Sequence, residues 1–315
     1  MSIGGHSLFE CVPNFSEGRR PEILDALRKA AEVPEVAILG MEGDPDHNRA
    51  VMTLVGPAEP LSEAVFRAMR IAVESIDLNQ HRGTHPRIGA ADVIPFVPWR
   101  NATMDEAVGL AHALGRRVGD ELGLPVFFYG YAALSPARIN LFEVRRGEFE
   151  GLAMRMSREA PDFGPTAPHP TAGAAAIGAR NVLIAFNVYL HTQNLTVARR
   201  VARAVRGTSG GLVGVKALAM DTKSRGWVQV SMNLIDYRTT SLPQALEMVR
   251  REAARYGVAV AETEVVGLMP YVALEDAVRY YLQMPGFERR RVLETAMGDA
   301  DHHSNGHAGG WDDGI

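Results

Sequence analysis

Cysteine is almost missing from this chain of 315 residues; Cys11 is the only one. A single thiol allows no internal disulfide and no CxxC pair, and it suits a reducing compartment. Long apolar runs are missing as well, since none approaches the roughly 20 residues that span a bilayer. The opening MSIGGHSLFE has no basic stretch ahead of an apolar core, so no signal peptide is expected. Positive charge is not in excess: the formal net charge is -4. With no RNP1-like run, that balance argues against nucleic acid or an anionic membrane as partner. Three common fingerprints are absent too. No GxGxxG opens a helix after a strand, no GxSxG appears, and GTSGGLVGVKALAMD lacks the register of a nucleotide P-loop. What remains is the composition of a soluble, cytoplasmic protein, 46% hydrophobic and 22% charged, with enough apolar mass for a sizeable core.

Periodicity then orders the chain. LFECVPNF reads as a strand, PEILDALRKAAE as a helix, and VAILGMEG and RAVMTLVG as two strands joined by the turn DPDHN. PLSEAVFRAMRIAVESI has apolar residues at helical spacing, and ADVIPFVP is a further strand. The helix MDEAVGLAHALGRRVGDELG and the strand PVFFYGYA follow. Strand, helix, strand, strand, helix, strand is the split βαβ order of a ferredoxin-like unit. VLIAFNVYL, LTVARRVARAVR, VKALAMD, WVQVSMNLID, SLPQALEMVRREAARYG (with Ser241 as N-cap) and VAVAETEVVGL repeat that order, and LEDAVRYYLQM closes with a helix. The fold class expected is α+β, with two ferredoxin-like subdomains, 1–180 and 181–297, and a disordered tail, 298–315. Each antiparallel sheet would carry helices on one face, and packing the other two faces together would leave a cleft for a small molecule. The stretch 157–180, rich in Pro and Gly, reads as a linker or a binding loop.

The polar residues concentrate in a few places. HRGTHPRIGAAD, residues 81–92, has His81 and His85 at the spacing of helical zinc ligands. Gly83 between them and Pro86 after them disfavour the helix, because proline pushes the preceding residue away from αR. A metal-free loop histidine beside Arg87 is the stronger reading, either a general acid–base or a plain surface histidine. MEGDPDHNRAV gathers Glu42, Asp44, Asp46, His47 and Arg49, carboxylates that could orient a histidine or simply shape a hairpin turn. CVPNFSEGRR offers Asn14, Ser16 and Glu17 at a strand end, either to a ligand or to a helix cap.

Taken together, ECVPNFSEGR, DPDHNRAVMTLVGP, HRGTHPRIGAADVIPFVP, APDFGP, GARNVLIAFNVYL, GVKALAM and VQVSMNLIDY resemble, in this order, the glutamate formimidoyltransferase family, formiminotransferases of histidine degradation. The resemblance runs from about residue 8 to about residue 285, and no cyclodeaminase portion is seen. It implies two subdomains with a folate tunnel between their sheets, and a homodimer. It implies transfer of a formimino group between N-formimino-L-glutamate and tetrahydrofolate, the latter a co-substrate, with no metal. His85 takes the family's catalytic position in a motif that reads Thr84-His85-Pro86-Arg87 here, where the family commonly has glutamate before the histidine. Glu42, Asp44, Asp46 and Arg87 are candidates to assist it. Folate-binding segments are expected at Pro161, Asp162, Phe163, Gly164, Pro165 and Thr166, and at Gly214 and Lys216. Arg49, Arg87 and Lys216 are candidates for the substrates' carboxylates. Formyl transfer, handling of 5-formyltetrahydrofolate, a binding module without turnover, and a metal hydrolase built on His81, His85 and Asp92 are the alternatives.

Overall fold

The computed structural model describes residues 7–222 and 225–297. The first half runs β1 (Leu8–Cys11), β2 (Asn14–Phe15), α1 (Pro21–Ala30), β3 (Ala37–Asp44), β4 (Arg49–Gly56), α2 (Ala58–Ser75), β5 (Ala91–Arg100), α3 (Met104–Leu122), β6 (Val126–Gly130), α4 (Leu141–Val144), α5 (Glu148–Met156) and β7 (Ala175–Ala179). The second runs β8 (Ile184–Leu190), α6 (Leu195–Val205), β9 (Val215–Thr222), β10 (Trp227–Leu234), α7 (Leu242–Ala254), β11 (Val260–Val266) and α8 (Tyr271–Tyr281). The chain is thus mixed α+β with two sheets, the class its periodicity predicts. The expected tail, 298–315, lies outside the described residues.

β1 and β2 are one strand broken at Val12 and Pro13. Proline has no N–H for the ladder, but its carbonyl still accepts from Met52 N at 3.0 Å. This broken strand lies between β4 and β5, β3 flanks β4, and β7 and β6 extend the sheet beyond β5. β5, β7 and β6 are parallel to one another; the other pairs are antiparallel. Alternation sends Phe9, Cys11, Met52 and Leu54 to one face, where α1, α2 and α3 bury Leu27, Leu61, Met69 and Leu114. Each such side chain contributes about 1.5–3 kcal/mol when fully buried. On the opposite face Phe127 and Tyr129 pack against Val144, Leu152 and Met156, so α4 and α5 cover the β5–β7 region.

That cover corrects the reading of an open second face across the whole sheet, and the stretch 157–180 needs a second correction. β7 lies in it, buried between β5 and β6. Its sequence AAIGA has little β-propensity, yet the packing demands small residues. A Cβ at Gly178 would stand 2.5 Å from the Tyr129 carbonyl oxygen.

In the second sheet the order is β11-β8-β10-β9, all antiparallel. Ile184, Phe186, Val188 and Leu190 face α6 and α7, whereas Asn187 and Tyr189 alternate onto the helix-free face. Ser241 is the N-cap of α7, and its backbone N–H donates to Gln244 Oε1 at 2.8 Å. Side-chain hydrogen bonds link the halves. Lys216 Nζ donates to Asn140 Oδ1 at 2.9 Å, and Gly267 N donates to Glu42 Oε2 at 3.0 Å.

Candidate active site

Residues 76–90 connect α2 to β5, and residues 45–48 connect β3 to β4. These two loops lie against each other. Gly83 permits the approach: a Cβ there would stand 2.2 Å from the His47 carbonyl oxygen. Asn48, at φ 47°, ties the contact together. Its Oδ1 accepts from Gly18 N at 3.0 Å, its Nδ2 donates to Arg82 O at 3.1 Å, and its carbonyl accepts from His81 Nε2 at 2.8 Å. With Nε2–H donating, His81 Nδ1 is the acceptor and receives Arg87 Nε at 3.2 Å. His81 is therefore a buried pin between loops. Its i, i+4 spacing with His85 could not disclose these partners.

His85 is presented differently. Pro86 holds the backbone extended, and His85 Nδ1–H donates to the Pro86 carbonyl at 2.9 Å. That bond fixes the tautomer and leaves Nε2 with its lone pair. Burial pushes the His85 pKa well below the ordinary histidine value, and the Arg49 and Arg145 guanidinium groups push it the same way. The ring is a neutral base.

The positive field comes from a buried ion network. Asp92 is fully buried; its Oδ2 accepts from Arg49 Nη1 at 2.8 Å and Arg145 Nη2 at 2.6 Å, and its Oδ1 accepts from Ile88 N at 2.8 Å. Burial alone would raise the Asp92 pKa, but the two arginines outweigh it and hold the carboxyl below its usual range. Burial lowers the Arg49 pKa to about 10, which leaves it charged at neutral pH. Arg49 Nε also donates to Asn14 Oδ1 at 3.0 Å. Two guanidinium groups on one carboxylate leave a net positive charge beside His85.

On the other side stands Asp44. Its Oδ1 accepts from the backbone N–H of Asp46 and His47 at 2.8 and 2.9 Å, and its Oδ2 from His47 Nδ1–H at 2.6 Å. Burial pushes the Asp44 carboxyl up, but these hydrogen bonds outweigh it and hold it below the ordinary aspartate value. The His47 ring meets that of His85 edge to face, centroids 6.0 Å apart.

The expected site residues therefore separate. His85, Arg49, Asn14 and Asp44 (through His47) converge. Glu42 turns to Gly267 of the second half, and Asp46 meets the loop through its carbonyl, 3.5 Å from Thr84 Oγ1. Arg87 pairs with Glu148 and Glu150 at 3.1 and 2.6 Å, at a cleft of about 520 Å³ lined by His81, Arg82, Gly83, Arg87, Gly147, Glu148 and Glu150. Asp162 Oδ2 accepts from Phe128 N at 2.8 Å and its Oδ1 pairs with Arg138 at 2.5 Å, while Phe163 packs on the α3 side of the sheet. Pro161 is partly buried beside them; Gly164, Pro165 and Thr166 are exposed. Gly214, at φ 72°, turns the chain into β9, and Lys216 projects from β9 to the start of α4. His47 and Arg145 carried no expectation of their own. A histidine in a turn and an arginine in a run of mixed charge give no signal apart from three-dimensional proximity. Among the described residues no group of three or more His, Cys, Asp or Glu is arranged to hold a metal ion. The His81 nitrogens and Asp92 oxygens needed by a metal hydrolase are engaged as described.

Comparison with known proteins supplies the relatives. The family model "Formiminotransferase domain, N-terminal subdomain" matches residues 8–180, and "Formiminotransferase domain" matches residues 185–295. Glutamate formimidoyltransferase of Thermoplasma acidophilum is 48% identical over 296 residues, covering 92% of this chain and 97% of that one. The enzyme of the same name from Streptococcus pyogenes serotype M1 is 43% identical over 294 residues, covering 92% and 98%. Formimidoyltransferase-cyclodeaminase of Sus scrofa is 41% identical over 285 residues, which are 88% of this chain and 52% of that protein.

Proposed function

We propose a reaction from one premise: the chain belongs to the formiminotransferase family. It is a one-carbon transferase, a glutamate formimidoyltransferase, that moves the formimino group between N-formimino-L-glutamate and tetrahydrofolate. The observation that carries the site assignment is His85, whose Nδ1–H is held by Pro86 O while Nε2 stays unprotonated beside Arg49 and Arg145.

The chemistry follows from that arrangement. The N5 amine of tetrahydrofolate attacks the amidine carbon and a C–N bond forms, while His85 Nε2 takes the proton from the attacking nitrogen. The tetrahedral intermediate collapses as the bond to the glutamate nitrogen breaks and the proton returns to that nitrogen. The surplus positive charge of Arg49 and Arg145 suits a substrate carboxylate. Holding two substrates side by side supplies much of the rate by proximity. We read residues 1–180 and 181–297 as two ferredoxin-like subdomains with a folate tunnel between their helix-free faces, Lys216 at its wall, and the whole as a cytoplasmic homodimer. Residues 161–166 and Gly214 enter this reading as folate contacts by resemblance.

One incubation tests the reading. Purified protein with formiminoglutamate should release glutamate only when tetrahydrofolate is added, with or without EDTA. Release without folate, or release abolished by EDTA, would replace it with a hydrolase.

A further inference from the structure

We propose that His47, held by Asp44, is a proton-relay partner of His85. This rests on the reaction assigned above but concerns a pair of residues that reaction did not require. Three observations meet in it. His47 Nδ1–H is engaged by Asp44 Oδ2 at 2.6 Å, which fixes the tautomer and leaves Nε2 as an acceptor. That Nε2 is buried and has no hydrogen-bond partner, an uncommon state for a polar atom in a folded interior. And the ring lies edge to face with His85 at 6.0 Å between centroids, close enough for a hydrogen bond after ring rotation or for one bridging water.

Charge gives the direction. A proton on His85 faces Arg49 from β4 and Arg145 from the end of α4, which together outnumber Asp92. A proton on His47 faces the Asp44 carboxylate instead. After His85 accepts a proton from the attacking amine, its Nε2–H bond breaks as an N–H bond forms at His47 Nε2. His85 becomes neutral again, and the positive charge rests on the Asp44–His47 pair. The reverse transfer returns the proton through His85 to the departing nitrogen, so no proton is gained or lost. His47 thus acts through His85 and positions the proton without touching substrate.

The test uses the full chain with His47→Gln and Asp44→Asn, each checked by thermal melting. Both should lower kcat at least tenfold, leave KM for formiminoglutamate and for tetrahydrofolate within twofold, and displace the acid limb of the pH–rate profile. His47→Ala should regain activity with added imidazole. NMR titration of the histidine C2–H signals provides a readout independent of turnover. The His85 signal should titrate at higher pH in His47→Gln than in the unaltered protein. Full kcat in both folded variants would overturn the relay, and so would a His85 titration identical with and without His47. An unaltered protein with no transferase activity would instead remove the reaction assignment, leaving the relay to be judged by the titration.

Discussion

The two halves share a strand order within their first four strands, and one connection of that unit differs in length. In each, the first strand lies between the third and the fourth, the second strand flanks the third, and helices cover one face. Between the last helix and last strand of that unit, the second half needs only residues 255–259, whereas the first uses residues 76–90. The longer connection carries His81, His85 and Arg87 and folds back on the β3–β4 turn through Gly83. In the reading proposed above, the longer loop makes the first half the reactive one and leaves recognition to the second, because loops tolerate insertion and can present side chains from a rigid base. The buried chemistry follows the same division. The first half buries Asp92 with Arg49 and Arg145; on its helix-free face the second buries the neutral Asn187, Tyr189 and Gln229, and its Arg225–Glu262 pair stays half exposed.

The sharpest way to break this division is to remove the base. His85→Ala should fold normally and lower kcat by about 10²–10⁴, the range for loss of a general acid–base. Tyr189→Phe, on the other sheet, should cost less than about tenfold, since it removes one hydrogen bond to Glu264 and no proton carrier. Steady-state kinetics on both variants decides it; equal losses would erase the distinction.

The next largest effect is on stability. Asp92→Ala strands two buried guanidinium groups and should destabilise by about 3–5 kcal/mol in denaturant titration. Glu262→Ala breaks an exposed pair with Arg225 and should cost about 1 kcal/mol or less.

Most of the architecture could be read from the chain because apolar residues recur at period 2 or 3.6 with turn residues between them. Pro86 and Gly83 argue against a helix there and leave a loop histidine of open role, and it is the family resemblance that singles out His85. The rest was hidden for physical reasons. AAIGA in β7 is made of residues chosen for tight packing between two strands, and such residues look like linker. LFEVRRGEFE presents alternating charge, the pattern of a solvated helix, yet Arg145 turns inward to Asp92. His47 sits in a turn whose composition any hairpin could share; only the fold brings its ring to His85.

A smaller effect separates the halves by pH. His85 has a folded pKa below its unfolded value of about 6.5, so the unfolded chain binds more protons in the window beneath 6.5. The stability it contributes is present above pH 6.5 and lost as pH falls towards its folded pKa. Asp92, also depressed, contributes stability above about pH 3.9 that is lost below it. Melting temperature followed from pH 7 to 5 should therefore fall less steeply in His85→Ala than in the unaltered protein, and Glu262→Ala should leave that slope alone.

The mildest change probes the junction of the halves. Burial lowers the Lys216 pKa, and its Nζ bonds to Asn140 Oδ1, which also accepts from Phe142 N as the cap of α4. Lys216→Met keeps the aliphatic stem along the sheet and removes only the charge and this bond. If the second half serves recognition, KM for tetrahydrofolate should rise about threefold to tenfold, the worth of one ordinary net hydrogen bond, with kcat nearly unchanged. A fall in kcat at constant KM would mean that Lys216 acts in the transition state, and the reactive half would then extend across the junction.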